Sequence, residues 1–235
     1  MTDTVIDRRN LLVASAVMSV GATVLPGIAS ASPPAPGVAV YMPQPVPLPF
    51  DPKAITGLSE KMLTSHHDNN YVGAVKRLGA INGQVAALDP ATAPGFVLNG
   101  LKREELIAWN SMILHELYFA GLGAPVRPGK ALSAAIERDF GSDARWRAEF
   151  AAMGKALGGG SGWVLLTYSH RDNRLTNQWA ADHSMTLAGA TPILALDMYE
   201  HAYAIDYGAK AGAYVDAFMG AVNWQSADAR FAKAT

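Results

Sequence analysis

The 235-residue sequence contains no cysteine. Disulfides, thiolate zinc sites and iron–sulfur clusters are thereby excluded, so any metal must be held by His, Asp or Glu. A surplus of charge is missing as well: 19 Lys and Arg stand against 20 Asp and Glu, for a formal net charge of −1. That balance leaves no electrostatic footprint for nucleic acid. Long apolar runs are also missing. The stretch 11–24 is the leading candidate, and it is short for a stable membrane span. What is present is a chain with half its residues apolar, enough for one or two globular domains with a real core.

Residues 1–31 read as an export signal rather than as part of the fold. Arg8 and Arg9 precede the apolar run, and Ala29-Ser30-Ala31 offers a small-residue cleavage site. Paired arginines ahead of a modest apolar segment fit a twin-arginine signal, a route that carries folded proteins and places the product in the periplasm or outside the cell. A general secretory signal with two arginines, or an uncleaved anchor, is the plainer alternative. The Pro- and Ala-rich stretch 32–46 then reads as an extended linker.

The most chemically suggestive string is Asp197-Met198-Tyr199-Glu200-His201, placed directly after the apolar run Ile193-Leu194-Ala195-Leu196. The run reads as a buried strand. A carboxylate at its end is costly unless something positive compensates it, and a metal ion would do so. One carboxylate with several imidazoles suits iron, manganese or zinc better than calcium. Taken alone, the string also fits an ordinary solvated helix start. Further candidates lie upstream. Ser59 is a plausible N-cap for a helix with Leu63, Tyr71, Ala74, Leu78, Ile81 and Val85 on one stripe. His66 and His67 fall inside it, with His67 near the centre of the stripe and His66 at its edge, so either can be the inward one. Residues 86–100 read as a loop, with Asp89-Pro90 and Ala93-Pro94-Gly95 as breakers. A helix over 102–119 follows and carries His115 on an apolar face, where a hydrogen-bonded core histidine is the plain alternative. Helices over 131–140 and from 142 to 157 come next. Short strands are expected at 163–170, 174–179 and 191–196, and a last helix at 211–224.

Several strings together resemble the iron/manganese superoxide dismutase family. Asp197 to Tyr203 resembles its D-x-W-E-H-A-Y signature, and Met112 to Phe119 its V-W-N-H-x-x-Y-W. Within Gly158-Gly159-Gly160-Ser161-Gly162-Trp163, the last four residues match a G-S-G-W turn, and Val222-Asn223-Trp224 matches the closing V-N-W. The resemblance covers about 47–228. It implies an α+β fold: an N-terminal helical hairpin (47–127), then a mixed domain (128–235) with a small three-stranded antiparallel sheet surrounded by helices. It further implies one Fe or Mn ion held by His66, His115, Asp197 and His201, with superoxide as substrate, and a homodimer in which Glu200 bridges to the partner's last histidine ligand. Trp163 and Tyr199 fall beside the ligands. His183 falls near a family glutamine that hydrogen-bonds solvent at the metal and tunes its potential; Ser111, the alternative position, is too short. Three positions depart from the pattern. Asn70 stands at a histidine, Ala74 at the gateway tyrosine and Ala204 at an interface tyrosine. These departures keep open an exported metal-binding protein without turnover, or another metal-dependent activity on the same fold.

Overall fold

The structure, a computed structural model, describes residues 39–235. The expected export signal (1–31) and the first part of the linker (32–38) lie outside the described residues. No helix among the described residues is long and apolar enough to cross a membrane.

Helix α1 (Glu60–Ser65) starts at Ser59, whose Oγ accepts from the Met62 amide at 3.1 Å. The same hydroxyl donates to Asp206 Oδ1 at 2.6 Å, which ties this end of the helix to the C-terminal half. From His66–Tyr71 the backbone widens into a π turn, and the Val72 amide reaches back to the His67 carbonyl. Helix α2 (Val72–Ala87) then resumes normal winding. The extra residue changes the phase of the apolar stripe. Counting back four from buried Tyr71 gives His67, whereas counting back five across the wide turn gives His66. The uninterrupted periodicity expected from sequence is therefore corrected, and it is His66 that turns inward.

Helix α3 (Gly95–Ala120) packs on α2 as the second arm of the hairpin. It begins well before residue 102, so 95–100 are helical rather than loop. The Pro94 carbonyl starts the ladder, accepting from Val97 at 2.9 Å and Leu98 at 3.2 Å. Proline at a helix start costs nothing, because that N–H has no helical partner anyway. The expected breaker is a helix opening.

Helices α4 (Lys130–Phe140) and α5 (Asp143–Ala156) lead into strands β1 (Trp163–Ser169), β2 (Arg174–Ala180) and β3 (Ala190–Asp197). The sheet is antiparallel in the order β2-β1-β3. This is the expected α+β arrangement. Pro192 sits on outer strand β3 where the register slips between Leu166 and Thr167, a position where a missing N–H is tolerated. The register sets Trp163 opposite Asp197 on one side and Ala180 on the other. Gly162, just before β1, has φ of +134°, and a Cβ there would stand 2.2 Å from the Ala180 carbonyl oxygen. Its own carbonyl accepts from Met198 at 2.9 Å, so the turn holds β1 against the chain leaving β3.

After a short turn (Glu200–Ala202) and α6 (Ala204–Tyr207), the chain ends in two helices, α7 (Ala211–Gly220) and α8 (Gln225–Ala234). The single final helix expected over 211–224 is corrected. The break is held by pairing with the segment after α3: Gly123 donates to the Ala221 carbonyl at 3.0 Å and Asn223 to that of Gly121 at 2.8 Å. The Asn223 side chain then accepts from the Gln225 amide at 3.0 Å, at the start of α8.

The described part of the linker is extended, as expected, but it is docked. Tyr41 stacks on Trp109 with centroids 5.5 Å apart, and its carbonyl accepts from the Asn82 amide at 2.8 Å. The Val46 amide donates to the Tyr71 hydroxyl at 2.8 Å. Residues 39–49 thus form a strap along the helical hairpin. We expect Gly162→Ala to lower stability by about 1–3 kcal/mol through forced backbone strain. Denaturant midpoints would measure it, and an unchanged midpoint would contradict the close approach described here.

Candidate metal centre

Four side chains from three parts of the chain meet in the interior. His66 comes from the π turn, His115 from α3, Asp197 from the end of β3 and His201 from the turn that follows. One donor atom from each lies within 4.8 Å of all the others. Asp197 Oδ2 is 3.0 Å from His66 Nε2, 3.3 Å from His201 Nε2 and 3.5 Å from His115 Nε2. His66 and Asp197 are fully buried and His115 is 1% exposed, so bulk water does not compensate this charge.

The proton positions identify what the cluster is suited to hold. His115 Nδ1 lies 2.6 Å from the Ser111 carbonyl, which can only accept. The proton therefore sits on Nδ1, and Nε2 presents a lone pair to the carboxylate oxygen. Acceptor faces acceptor at 3.5 Å, a repulsive arrangement that a cation between them reverses. Donor spacings of 3.0–3.5 Å also match neighbouring vertices around an ion with bonds of about 2.1 Å. An iron or manganese ion fits this donor set.

Backbone and side-chain contacts hold the carboxylate from behind. Asp197 Oδ1 accepts from the Tyr199 amide at 2.8 Å, and the Asp197 carbonyl accepts from the Tyr214 hydroxyl at 2.8 Å. The hydroxyls of Tyr214 and Tyr118 lie 3.2 Å apart. Burial would push the Asp197 carboxyl up, but the hydrogen bonds of His201 and His66 to it outweigh this and hold the group well below the usual carboxylate range. Burial lowers His115 to about 3 and also lowers His66, so both stay neutral and able to bind a cation.

Trp163 Nε1 donates to His183 Nδ1 at 3.0 Å, which leaves the His183 proton on Nε2. His183 stacks on Tyr199 at 4.8 Å, and Tyr199 stacks in turn near His201 at 5.4 Å. The Asn110 amide holds the His183 carbonyl at 2.6 Å. Asn70, Ala74 and Ser111 join His183 and Arg77 around a cleft of about 300 Å³. Glu200 is exposed beside His201.

His67 is not part of the group. Its Nδ1 is 2.7 Å from Asp68 Oδ1, and its Nε2 is 2.8 Å from the Val46 carbonyl. Sequence reasoning passed over the Ser111 carbonyl, since only that residue's side chain was weighed. It also passed over Tyr214, which lies far along the chain with no local signal.

Residues 128–230 match the family described as iron/manganese superoxide dismutases, C-terminal domain. A superoxide dismutase [Fe] from Cupriavidus metallidurans is 69% identical over 188 residues, covering 80% of this chain and 95% of that protein. A superoxide dismutase [Mn] 1 from Halobacterium salinarum is 36% identical, with coverage of 80% and 94%. A superoxide dismutase [Fe] from Aquifex pyrophilus is 32% identical, with coverage of 78% and 88%.

The depressed His115 carries a pH consequence. Between its ordinary 6.5 and about 3, the folded protein binds fewer protons here than the unfolded chain. Stability is therefore full above 6.5 and falls as the pH drops toward 3. The depressed Asp197 adds a loss in the same direction at still lower pH. Denaturant midpoints of the metal-free protein should decline across this window; a flat profile would contradict the buried neutral imidazole.

Proposed function

The chain belongs to the iron/manganese superoxide dismutase family, and from that premise we infer how its own residues carry the reaction. The enzyme converts two superoxide anions and two protons into dioxygen and hydrogen peroxide, using one Fe or Mn ion per subunit. In our reading His66, His115, Asp197 and His201 hold that ion. The observation that carries this is the lone pair of His115 Nε2 aimed at the buried Asp197 carboxylate, a geometry that a cation satisfies. An ion held there would supply the redox chemistry by which one superoxide is oxidised and a second reduced. Iron is the metal we assign first, since the 69% identical relative is an iron enzyme by name.

The remaining residues position protons and access. His183 keeps a donor at Nε2 because Trp163 occupies Nδ1, and we assign it the hydrogen-bonding role that the family gives to glutamine. Tyr199 fixes the plane of that imidazole by stacking. The cleft beside Asn70, Ala74 and His183 is the approach for superoxide, with Arg77 on its wall. Arg77 is paired with Glu104, so its attraction for an anion is moderated.

Three further readings complete the proposal. The chain divides near residue 127 into a helical hairpin and an α+β half, which the match beginning at 128 supports. It works as a homodimer, with Glu200 facing the partner's site; the exposure of Glu200 beside His201 supports this. Arg8 and Arg9 direct export by the twin-arginine route to the periplasm or beyond.

The central test is metal content and superoxide consumption of purified protein loaded with iron or with manganese. One ion per chain with turnover is expected; metal without turnover would favour a binding protein. His115→Ala should lose most of its metal, and full occupancy would refute the ligand set. His183→Ala should keep metal while activity falls about 10–100-fold. For export, Arg8→Lys with Arg9→Lys should leave the protein in the cytoplasmic fraction, and unchanged fractionation would refute the twin-arginine reading.

A further inference from the structure

A second built pocket lies outside the metal centre. Its volume is about 180 Å³, and it sits between the strap and the helices. Val46, Pro47 and Pro49 of the strap form one wall, and Phe119 of α3 forms the floor. Phe119 also packs on His66 at 5.0 Å, so the ring separates the pocket from the metal-binding side chains.

Two opposite charges face this apolar space. Glu116 comes from α3 and Arg230 from α8, and both are half-buried. Among the described residues neither forms an ion pair. Glu116 Oε1 accepts from the Tyr71 hydroxyl at 3.0 Å, and Oε2 has no donor among the described residues. The Arg230 side chain makes no hydrogen bond among the described residues. Burial lowers the guanidinium from its ordinary range, and the Glu116 charge acts in the opposite direction. The two groups therefore sense one another across a gap instead of closing it. Partly desolvated opposite charges held apart over an apolar floor are costly unless something with both charges bridges them.

The other wall is fixed. The Tyr71 hydroxyl accepts from the Val46 amide at 2.8 Å while donating to Glu116, so strap, π turn and carboxylate form one braced unit. The two contacts of His67, to Asp68 and to the Val46 carbonyl, add to this bracing.

We propose that the pocket between the strap and helices α3 and α8 binds a small zwitterion, an α-amino acid with a compact apolar side chain. Its carboxylate pairs with the Arg230 guanidinium, which is suited to two parallel hydrogen bonds. Its ammonium pairs with Glu116 Oε2. Its side chain lies on Phe119 against Pro47 and Pro49. The size of the pocket excludes a nucleotide, and the opposed charges disfavour a simple anion or a simple cation. This site is independent of the dismutation assigned to the metal centre.

The test is calorimetric titration of the metal-loaded protein with glycine, L-proline and L-valine, and with acetate and methylammonium as single-charge probes. Saturable heat is expected for proline or valine, with acetate and methylammonium at least about tenfold weaker. Arg230→Gln and Glu116→Gln should each weaken amino-acid binding about tenfold or more, while Arg230→Lys retains part of it. Metal content and superoxide consumption of Arg230→Gln should match the parent, which separates this site from the metal centre and controls for folding. Absence of saturable heat with every amino acid would overturn the proposal. So would acetate binding as tightly as valine, or both charge-removing variants binding like the parent.

Discussion

A carboxylate with no access to water is the constraint on which the rest of this structure depends. Asp197 is fully buried and remains ionised because imidazoles surround its Oδ2. Attraction from neutral imidazoles alone does not settle that charge, since His115 offers a lone pair and not a proton. The arrangement makes electrostatic sense around a cation. The three histidines, one carboxylate and buried setting are thus a single solution to one desolvation problem.

The scaffold can be understood as the set of contacts that bring these four groups together. The sheet register places Trp163 beside Asp197, and the Gly162 turn permits an approach that no side chain would allow. Trp163 then orients His183 through its indole N–H, so one strand start fixes two side chains beside the cluster. Asn223 bridges the chain after α3 to the gap between α7 and α8. Tyr214, at the centre of α7, reaches the Asp197 carbonyl. The Asn223 and Ser59–Asp206 contacts join the two halves alongside their shared apolar core, while Tyr214 holds Asp197 from within the C-terminal half.

Much of this was legible in the sequence because the motifs are local. The cap at Ser59, the three strands and the strings that carry the four clustered side chains each depend on residues close along the chain. What was not legible depended on backbone geometry or distant partners. A carbonyl such as that of Ser111 has no sequence identity as an acceptor. The break at 221–224 follows Gly220, a helix-ending residue too weak by itself to mark it, and is held by pairing with residues 121–123. The start of α3 was hidden because a proline reads equally as a loop breaker and as a helix opener. The strap was read as a linker from its proline content, which fixes extension but not the surface it lies on.

The π turn is the most instructive of these cases. A regular helix through 60–87 would direct either His66 or His67 inward and align the other with solvent. Insertion of one residue lets the helix serve two surfaces with adjacent side chains. His66 meets Asp197, and His67 meets the strap at Val46. Tyr71, at the end of the same turn, holds the strap and Glu116 together. A wide turn weakens local helical bonding, so its persistence here has to come from contacts at both faces. Those contacts are available only when the strap is docked and the buried cluster is assembled. The π turn therefore serves the buried cluster through His66 and the strap through His67, with neighbouring side chains held on opposite faces.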